Sequence, residues 1–217
     1  QVAQETQTRE VRTVSGIVIH QAAQTFYDRE QTVTLEQNGA GTELNLEDYL
    51  CGVVLGEMPA SFPMEALKAQ AVAARTYTLR TLETGGTLSD DPAVCQAYRP
   101  PSDAPEETRS RILQAVRETD GQVLSWQGEL ITATYFSCSG GRTESAQEVW
   151  GGSVPYLVSV ESPGEEDAPA FESQVRIEKQ QLRELLEVED TSVTDVQYTQ
   201  GGGVARMTIG GKTFAIG

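Results

Sequence analysis

The sequence predicts an α+β fold, with mixed or antiparallel sheets and a long central helix, about residues 63–82, packed on them. Three observations predict it. Strand-like alternation and helical periodicity mix along the chain, without the regular strand–helix alternation of a doubly wound sheet. The 63–82 stretch carries Met64, Leu67, Ala71, Ala74 and Thr78 at helical spacing, a face rich in small residues that can sit close to a sheet or another helix. The length, 217 residues, suffices to bury a sizeable core in one or two domains.

Residues 1–13 are polar and patternless and read as a lead-in. Val14–His20 reads as a strand. Thr32–Glu36 alternates and Asn38-Gly39 is a turn signal, so a hairpin returning through Thr42–Leu46 is expected. Asn45 is placed to cap a short helix with Asp48 in its first turn, carrying Tyr49, Leu50, Val53 and Val54. Ser61 reads as the N-cap of the long helix, Pro63 is tolerated in its first turn, and Thr84-Gly85-Gly86 ends it. Residues 85–107, rich in Asp and Pro, read as loop. A helix from about Glu106 to Glu118 follows, with Ile112, Leu113 and Val116 inward. Gln122–Trp126 and Leu130–Ser137 read as a hairpin, and Ser139-Gly140-Gly141-Arg142-Thr143 as a glycine-rich turn after it. Tyr156–Val160 reads as a short strand, 163–170 as an acidic loop, and Gln174–Glu189 as containing a helix with Leu182, Leu185 and Leu186 on one side. Val193–Tyr198, Val204–Ile209 and Lys212–Ile216 alternate as closing strands. The organisation expected is a lead-in with strands over 1–43, part of the same unit as a core over 44–163, and a C-terminal helix and strands over 164–217.

Lys plus Arg number 16 and Asp plus Glu 32, a net charge of −16. Such a balance argues against a nucleic-acid partner or an anionic membrane surface, both of which need clustered cations. No apolar run approaches the roughly 18 residues of a membrane span. The chain starts at Gln1 without a signal-peptide core, which leaves open a signal or anchor removed from it or lying outside it. Its three cysteines, Cys51, Cys95 and Cys138, form no C-x-x-C pair, so a structural zinc site is poorly supported. The only histidine, His20, sits in an alternating apolar run and reads as a strand residue. Acid–base chemistry therefore falls to carboxylates, Lys, Tyr or Cys.

Glu57, in Gly56-Glu57-Met58-Pro59, is a lone carboxyl between Val53, Val54, Leu55 and Met58, Phe62. It reads either as a solvated helix-end carboxylate or as a general acid, since apolar surroundings disfavour the charged form of a carboxyl. On the long helix, Lys68 and Arg75 share one stripe and Gln70 and Tyr77 a neighbouring one. Lys68, Gln70 and Arg75 either form a solvated face or orient a polar substrate. The Ser139–Thr143 turn allows close backbone approach to a ligand. It lacks the spacing and Lys of a phosphate-binding loop. A nucleophilic Cys138 would need His20 as its base, which the strand reading of His20 disfavours.

The run Leu46-Glu-Asp-Tyr-Leu-Cys-Gly-Val-Val-Leu-Gly-Glu57-Met-Pro-Ala-Ser-Phe-Pro-Met-Glu-Ala-Leu-Lys68-Ala-Gln70-Ala-Val-Ala-Ala-Arg75-Thr-Tyr77 resembles the signature of the stage II sporulation protein D family. So do Cys95-Gln96-Ala97-Tyr98, Thr119-Asp-Gly-Gln-Val-Leu, Tyr135–Thr143, Val149-Trp150-Gly151 and Pro155-Tyr-Leu-Val-Ser-Val160, in family order over about residues 44–163. The resemblance implies a lytic transglycosylase acting on peptidoglycan glycan strands during sporulation, with Glu57 as the catalytic residue and no cofactor. Such an enzyme cleaves after N-acetylmuramic acid with the sugar's own 6-hydroxyl, so one carboxyl can serve first as acid and then as base. A hydrolase would need a second carboxylate. The resemblance further implies that Lys68, Gln70 and Arg75 support the pocket of Glu57. It makes Ser139, Gly140, Gly141, Arg142 and Thr143 a glycan-facing loop, and lets Tyr77 and Tyr156 stack on sugars or orient the acid, beside the packing roles each also has open. It implies an extracytoplasmic location. Because some relatives enhance amidases, it also implies an alternative reading as a wall-binding accessory with a cell-wall amidase as partner.

Some members of this family carry a metal-holding His beside these cysteines, where this chain has Phe136, so no metal is expected. Cys95 and Cys138 both fall in matching motifs, which implies a disulfide between them, with Cys51 the odd buried thiol. Members of the family continue past a strand such as Lys212–Ile216, which implies a short missing C-terminal piece.

Overall fold

The computed structural model describes residues 11–12, 16–21, 27–37, 39–169 and 171–215. It comprises two compact units, Gln1–Tyr135 and Phe136–Gly217, so the division falls inside the 44–163 stretch that the motifs cover. Most of the 1–13 lead-in, Val14, Asn38 and Ile216 lie outside the described residues.

In the first unit, β1 (Val11–Arg12) and β2 (Val18–Gln21) precede a hairpin of β3 (Thr32–Gln37) and β4 (Ala40–Asn45). Helices α1 (Leu46–Glu57) and α2 (Met64–Glu83) follow, then β5 (Leu88–Ser89), α3 (Glu106–Glu118), β6 (Gln122–Trp126) and β7 (Glu129–Leu130). One sheet runs β1-β2-β6-β7, all antiparallel, with His20 on β2 opposite Val123. The other runs β4-β3-β5, with β5 parallel to β3. The α+β expectation therefore holds, with a mixed and an antiparallel sheet around the long helix. The second strand of the expected 122–137 hairpin is only two residues long, and 131–137 continues without regular structure.

Asn45 caps α1 as its residue type predicts: its side chain accepts from the Asp48 N–H at 2.8 Å. Pro63, not Ser61, is the N-cap of α2, and it offers no side-chain hydrogen bond. Helix α1 is apolar nearly all round, with Leu46, Tyr49, Leu50, Cys51, Val53 and Val54 fully buried, as befits a helix enclosed by other elements. It packs on α2 and α3, and Leu67, Ala71 and Ala74 of α2 join Ile112, Ala115 and Val116 of α3 in one core with Val33, Leu35 and Leu88 of the β4-β3-β5 sheet. Two hydroxyls of α2 turn inward. Thr76 donates to Val72 O and accepts from the Leu124 N–H, which ties α2 to β6.

The second unit holds α4 (Ala146–Trp150), capped by Ser145, α5 (Lys179–Leu186) and an antiparallel sheet β8 (Val193–Tyr198), β9 (Val204–Ile209), β10 (Lys212–Ala215). The expected strand at 156–160 is not formed; the segment makes only an isolated bridge, Arg142 to Glu161. The Glu144 carboxylate ties the stretch before α4 to the β8–β9 turn by accepting from Thr199 Oγ1 at 2.5 Å and from the N–H of Gly201 at 3.3 Å.

Candidate active site

The site grows from two glycines one turn apart on α1. A Cβ at Gly52 would lie 2.2 Å from the ring of Tyr98, and one at Gly56 would lie 2.8 Å from the Ala97 carbonyl carbon. Their bareness makes a trough in α1 in which the Cys95–Arg99 segment lies, anchored by the Arg99 N–H on Gly52 O at 3.0 Å. The Tyr98 ring stacks on Tyr49 of α1, with centroids 5.8 Å apart. This close approach delivers the Ala97 N–H to Glu57 Oε1 at 2.7 Å, at the last residue of α1.

Tyr135 completes the grip on Glu57. Its hydroxyl lies 3.1 Å from Glu57 Oε1 and 3.0 Å from Gln96 Oε1. A phenol has one proton, so it donates to one of the two at a time. Gln96 is itself oriented from behind: its Nε2 donates to Thr78 Oγ1 at 2.9 Å, while the Thr78 hydroxyl donates to Ala74 O at 2.8 Å. Burial, and then the Glu57 charge, push the Tyr135 phenol well above its usual pKa, so it stays a donor. Burial, and then Cys95, push Tyr77 up as well. Among the described residues, no protein group hydrogen-bonds Glu57 Oε2. The half-buried Glu57 lines a cavity of about 260 Å³ together with Tyr77, Cys95, Gln96, Ala97 and Tyr135. A larger hollow of about 350 Å³ lies on α3, but its one carboxylate, Glu118, is engaged by Lys68 at 2.5 Å.

Of the residues expected around Glu57, only Tyr77 shares its cavity. Arg75 is completely buried, and its role here is corrected to an interior one. Its Nε donates to both Asp28 carboxylate oxygens at 2.9 Å and its NH2 to Asp28 Oδ2 at 2.5 Å, Val116 O at 3.2 Å completing that nitrogen. Its NH1 reaches Gln122 O at 3.1 Å. Burial pushes the Asp28 carboxyl up, and the Arg75 guanidinium pulls against that shift. Lys68 points to α3 and bridges Glu65 and Glu118, whose hydrogen bonds raise its pKa, Glu118 first. Gln70 is buried, and its Nε2 has no hydrogen-bond partner among the described residues. The helical stripe was legible, but which stripe faced a cavity was not. The residues that sequence reasoning missed as site members are Gln96, Ala97 and Tyr135. They lay within quoted motifs, yet nothing in their residue types marked them as neighbours of Glu57.

The remaining expected residues belong to the second unit. There the glycine turn wraps a carboxylate of its own chain: Glu165 Oε2 accepts from Ser139 N at 2.9 Å, Ser139 Oγ at 2.6 Å and Gly141 N at 2.8 Å, with Cys138 Sγ at 3.7 Å. These bonds, Ser139 first, lower the Glu165 pKa to about 2. Gly140 and Gly141, with φ of 77° and 99°, make that turn possible. Arg142 pairs with the exposed Glu161 at 3.0 Å, and Thr143 accepts from the Val160 N–H at 2.9 Å. Tyr156 is half-buried in the same unit. All three cysteines are free thiols, so the Cys95–Cys138 disulfide is not formed. Burial pushes the Cys51 thiol up to about 11. Among the described residues no group of three or more His, Cys, Asp or Glu is arranged to hold a metal ion, and no helix is long and apolar enough to cross a membrane.

Residues 36–126, which include α1, α2 and every residue of the Glu57 grip except Tyr135, match the profile of the stage II sporulation protein family. The chain carries a domain of that family. It is 34% identical over 195 residues to stage II sporulation protein D of Bacillus subtilis, covering 82% of this chain and 57% of the relative. To the protein of the same name from Bacillus amyloliquefaciens it is 35% identical over 193 residues, 81% of this chain and 56% of the relative. An amidase enhancer of Bacillus subtilis is 49% identical over 110 residues, 51% of this chain and 14% of that protein. The chain thus spans a little over half the length of the two stage II sporulation proteins D. The stage II sporulation domain ends at residue 126, so the 131–135 wall of the cavity lies beyond the profile but within the same compact unit.

Proposed function

We propose that this chain is a peptidoglycan lytic transglycosylase with Glu57 as its general acid and base, acting outside the cytoplasm on glycan strands in sporulation. The observation that carries the reading is the fixation of Glu57 Oε1 by the Ala97 N–H and the Tyr135 hydroxyl on a cavity wall, with Oε2 left for the substrate. In the first step protonated Glu57 gives its proton to the glycosidic oxygen as the bond from C1 of N-acetylmuramic acid breaks. In the second, the Glu57 carboxylate takes the proton of the sugar's 6-hydroxyl as that oxygen bonds to C1, which closes the 1,6-anhydro ring. The Tyr135 phenol follows the charge. It turns to Glu57 Oε1 when the carboxylate forms and to Gln96 Oε1 when Glu57 is protonated, so both states keep a full set of partners. Tyr77 supplies an aromatic wall for a sugar face.

The second reading is an accessory that binds the wall and stimulates an amidase without turnover, favoured by the 49% identity to an amidase enhancer. Product analysis separates the two. Purified protein incubated with glycan strands should yield 1,6-anhydromuramic ends by mass spectrometry, and Glu57→Gln should yield none. Absence of such ends from the wild type, with stimulation of an added amidase that Glu57→Gln retains, would establish the accessory reading instead.

A further inference from the structure

The cavity at Glu57 does not stop at Tyr77. A second hollow of about 240 Å³ is lined by Tyr77, Arg80, Thr81, Thr84 and Thr132. Tyr77 lines both hollows, and Thr132 leads directly into the Ala133–Tyr135 wall of the first, so the two lie on either side of one aromatic ring. Residues 77, 80, 81 and 84 recur at i, i+3, i+4 and i+7, one continuous stripe of α2. From Tyr77 to Thr84 that stripe rises about 10 Å, longer than a single pyranose ring. Each hollow alone falls short of the roughly 300 Å³ at which ligand clefts begin, and the two together reach it.

The chemistry of the second hollow differs from the first. It offers threonine hydroxyls, the edge of a tyrosine and one guanidinium. The Thr81 hydroxyl hydrogen-bonds Tyr77, and Thr84 Oγ1 is turned to the Arg80 and Thr81 carbonyls, which leaves its lone pairs as acceptors. Hydroxyls beside an aromatic ring suit a sugar. A guanidinium fork suits a carboxylate. Arg80 meets an anion already: its NH1 holds Glu83 Oε2 at 2.8 Å, with the two side chains 35% and 51% exposed. Exposed pairs of this kind are weak, so exchanging Glu83 for a ligand carboxylate costs little. Lys68, Arg75 and Arg142 are tied to carboxylates elsewhere, so none of them competes for this role.

We propose that this stripe is a second sugar subsite, which takes the sugar next to the one at Glu57 and uses Arg80 to recognise a carboxylate on it. The proposal rests on the glycan reading above and gives that groove a direction, along α2 toward its C-terminus.

The test uses the full chain carrying Glu57→Gln, so that turnover does not consume the ligand. Calorimetric titration compares a muramic acid-containing tetrasaccharide bearing free carboxylates with the same oligomer after amidation of those carboxyls. Adding Arg80→Gln should weaken the charged oligomer roughly tenfold, the worth of one charge-assisted hydrogen bond, and leave the amidated one unchanged. Adding Glu83→Gln instead should tighten the charged oligomer roughly twofold to fivefold. If the tetrasaccharides bind but Arg80→Gln affects both alike or neither, the subsite is refuted while the glycan reading stands. If neither binds to the Glu57→Gln chain at all, the glycan reading falls and the subsite with it.

Discussion

Replacing Arg75 by methionine asks whether this cation belongs to the interior or to the groove. The guanidinium makes bonds to both Asp28 oxygens and to the carbonyls of Val116 and Gln122, all from a side chain with 0% exposure. Methionine fills the volume but leaves the Asp28 carboxylate without its counter-charge in the interior. Breaking one side of a buried pair in this way costs about 3–5 kcal/mol. At an m-value of about 2 kcal/mol per molar urea, the unfolding midpoint should fall by about 2 M. Trp126 lies on β6, the strand that carries the Gln122 carbonyl, so its fluorescence in a Trp150→Phe background reports the first unit alone. Adding Asp28→Leu to Arg75→Met removes the stranded charge and should restore most of the loss, a coupling that a double-mutant cycle measures. A substrate-facing Arg75 gives the opposite pattern. A midpoint within about 0.5 kcal/mol of wild type, joined to a loss of glycan cleavage, would refute the interior assignment.

Tyr135→Phe leaves Glu57 with the Ala97 N–H alone; kcat should fall about tenfold with KM little changed, as loss of one hydrogen bond to a charged group requires, and steady-state kinetics on glycan strands check it. Gly56→Ala puts a Cβ 2.8 Å from the Ala97 carbonyl carbon and must push that segment off α1. The expected cost is about 1–3 kcal/mol, with faster hydrogen exchange at the Ala97 amide. The glycine turn of the second unit should loosen in acid. The folded pKa of Glu165, about 2, is below its unfolded value, so the clasp contributes fully above the unfolded carboxylate range, near 4.5, and is lost as pH falls from there through about 2. Amide exchange at Gly141, read by NMR between pH 5 and pH 2, checks it, and a flat profile counts against the clasp.

Much of the first unit was legible because local signals there agree. Asn45 caps α1, the Glu106–Glu118 helix ends where its pattern ends, and the β3–β4 hairpin follows from alternation around an Asn-Gly turn. Glu57 was legible as an unusual carboxyl in an apolar stretch. Its partners were not, because Gln96, Ala97 and Tyr135 reach it across 39, 40 and 78 residues and only the Gly52–Gly56 trough brings them in. Arg75 shows the limit from the other side. Its position on a polar-looking stripe of α2 suggested solvent, but its partner Asp28 lies in a short turn 47 residues earlier that no periodicity connects to the helix. The strand expected at 156–160 failed for a related reason. Its alternation is real, yet the segment finds only the single bridge at Arg142 to pair with, and a strand exists only where a neighbour accepts its hydrogen bonds.

The net charge of −16 leads to a last expectation that separates this groove from an electrostatically steered one. A glycan strand bearing free carboxylates approaches a protein of its own sign, so the long-range field slows encounter instead of speeding it. At about 0.01 M salt the Debye length is about 30 Å, and the whole charge is felt; at about 0.15 M it is about 8 Å, and only contacts at the groove remain. The association rate constant of the Glu57→Gln chain for the charged tetrasaccharide, followed by stopped-flow fluorescence, should therefore rise between these two salts. Its dissociation should quicken only modestly, because the Arg80 contact is a single local pair. A cationic binder shows the reverse, with association falling steeply as salt is added. A falling rate would mean that cations outside the described groove draw the strand in, and the groove along α2 could not then be where recognition begins.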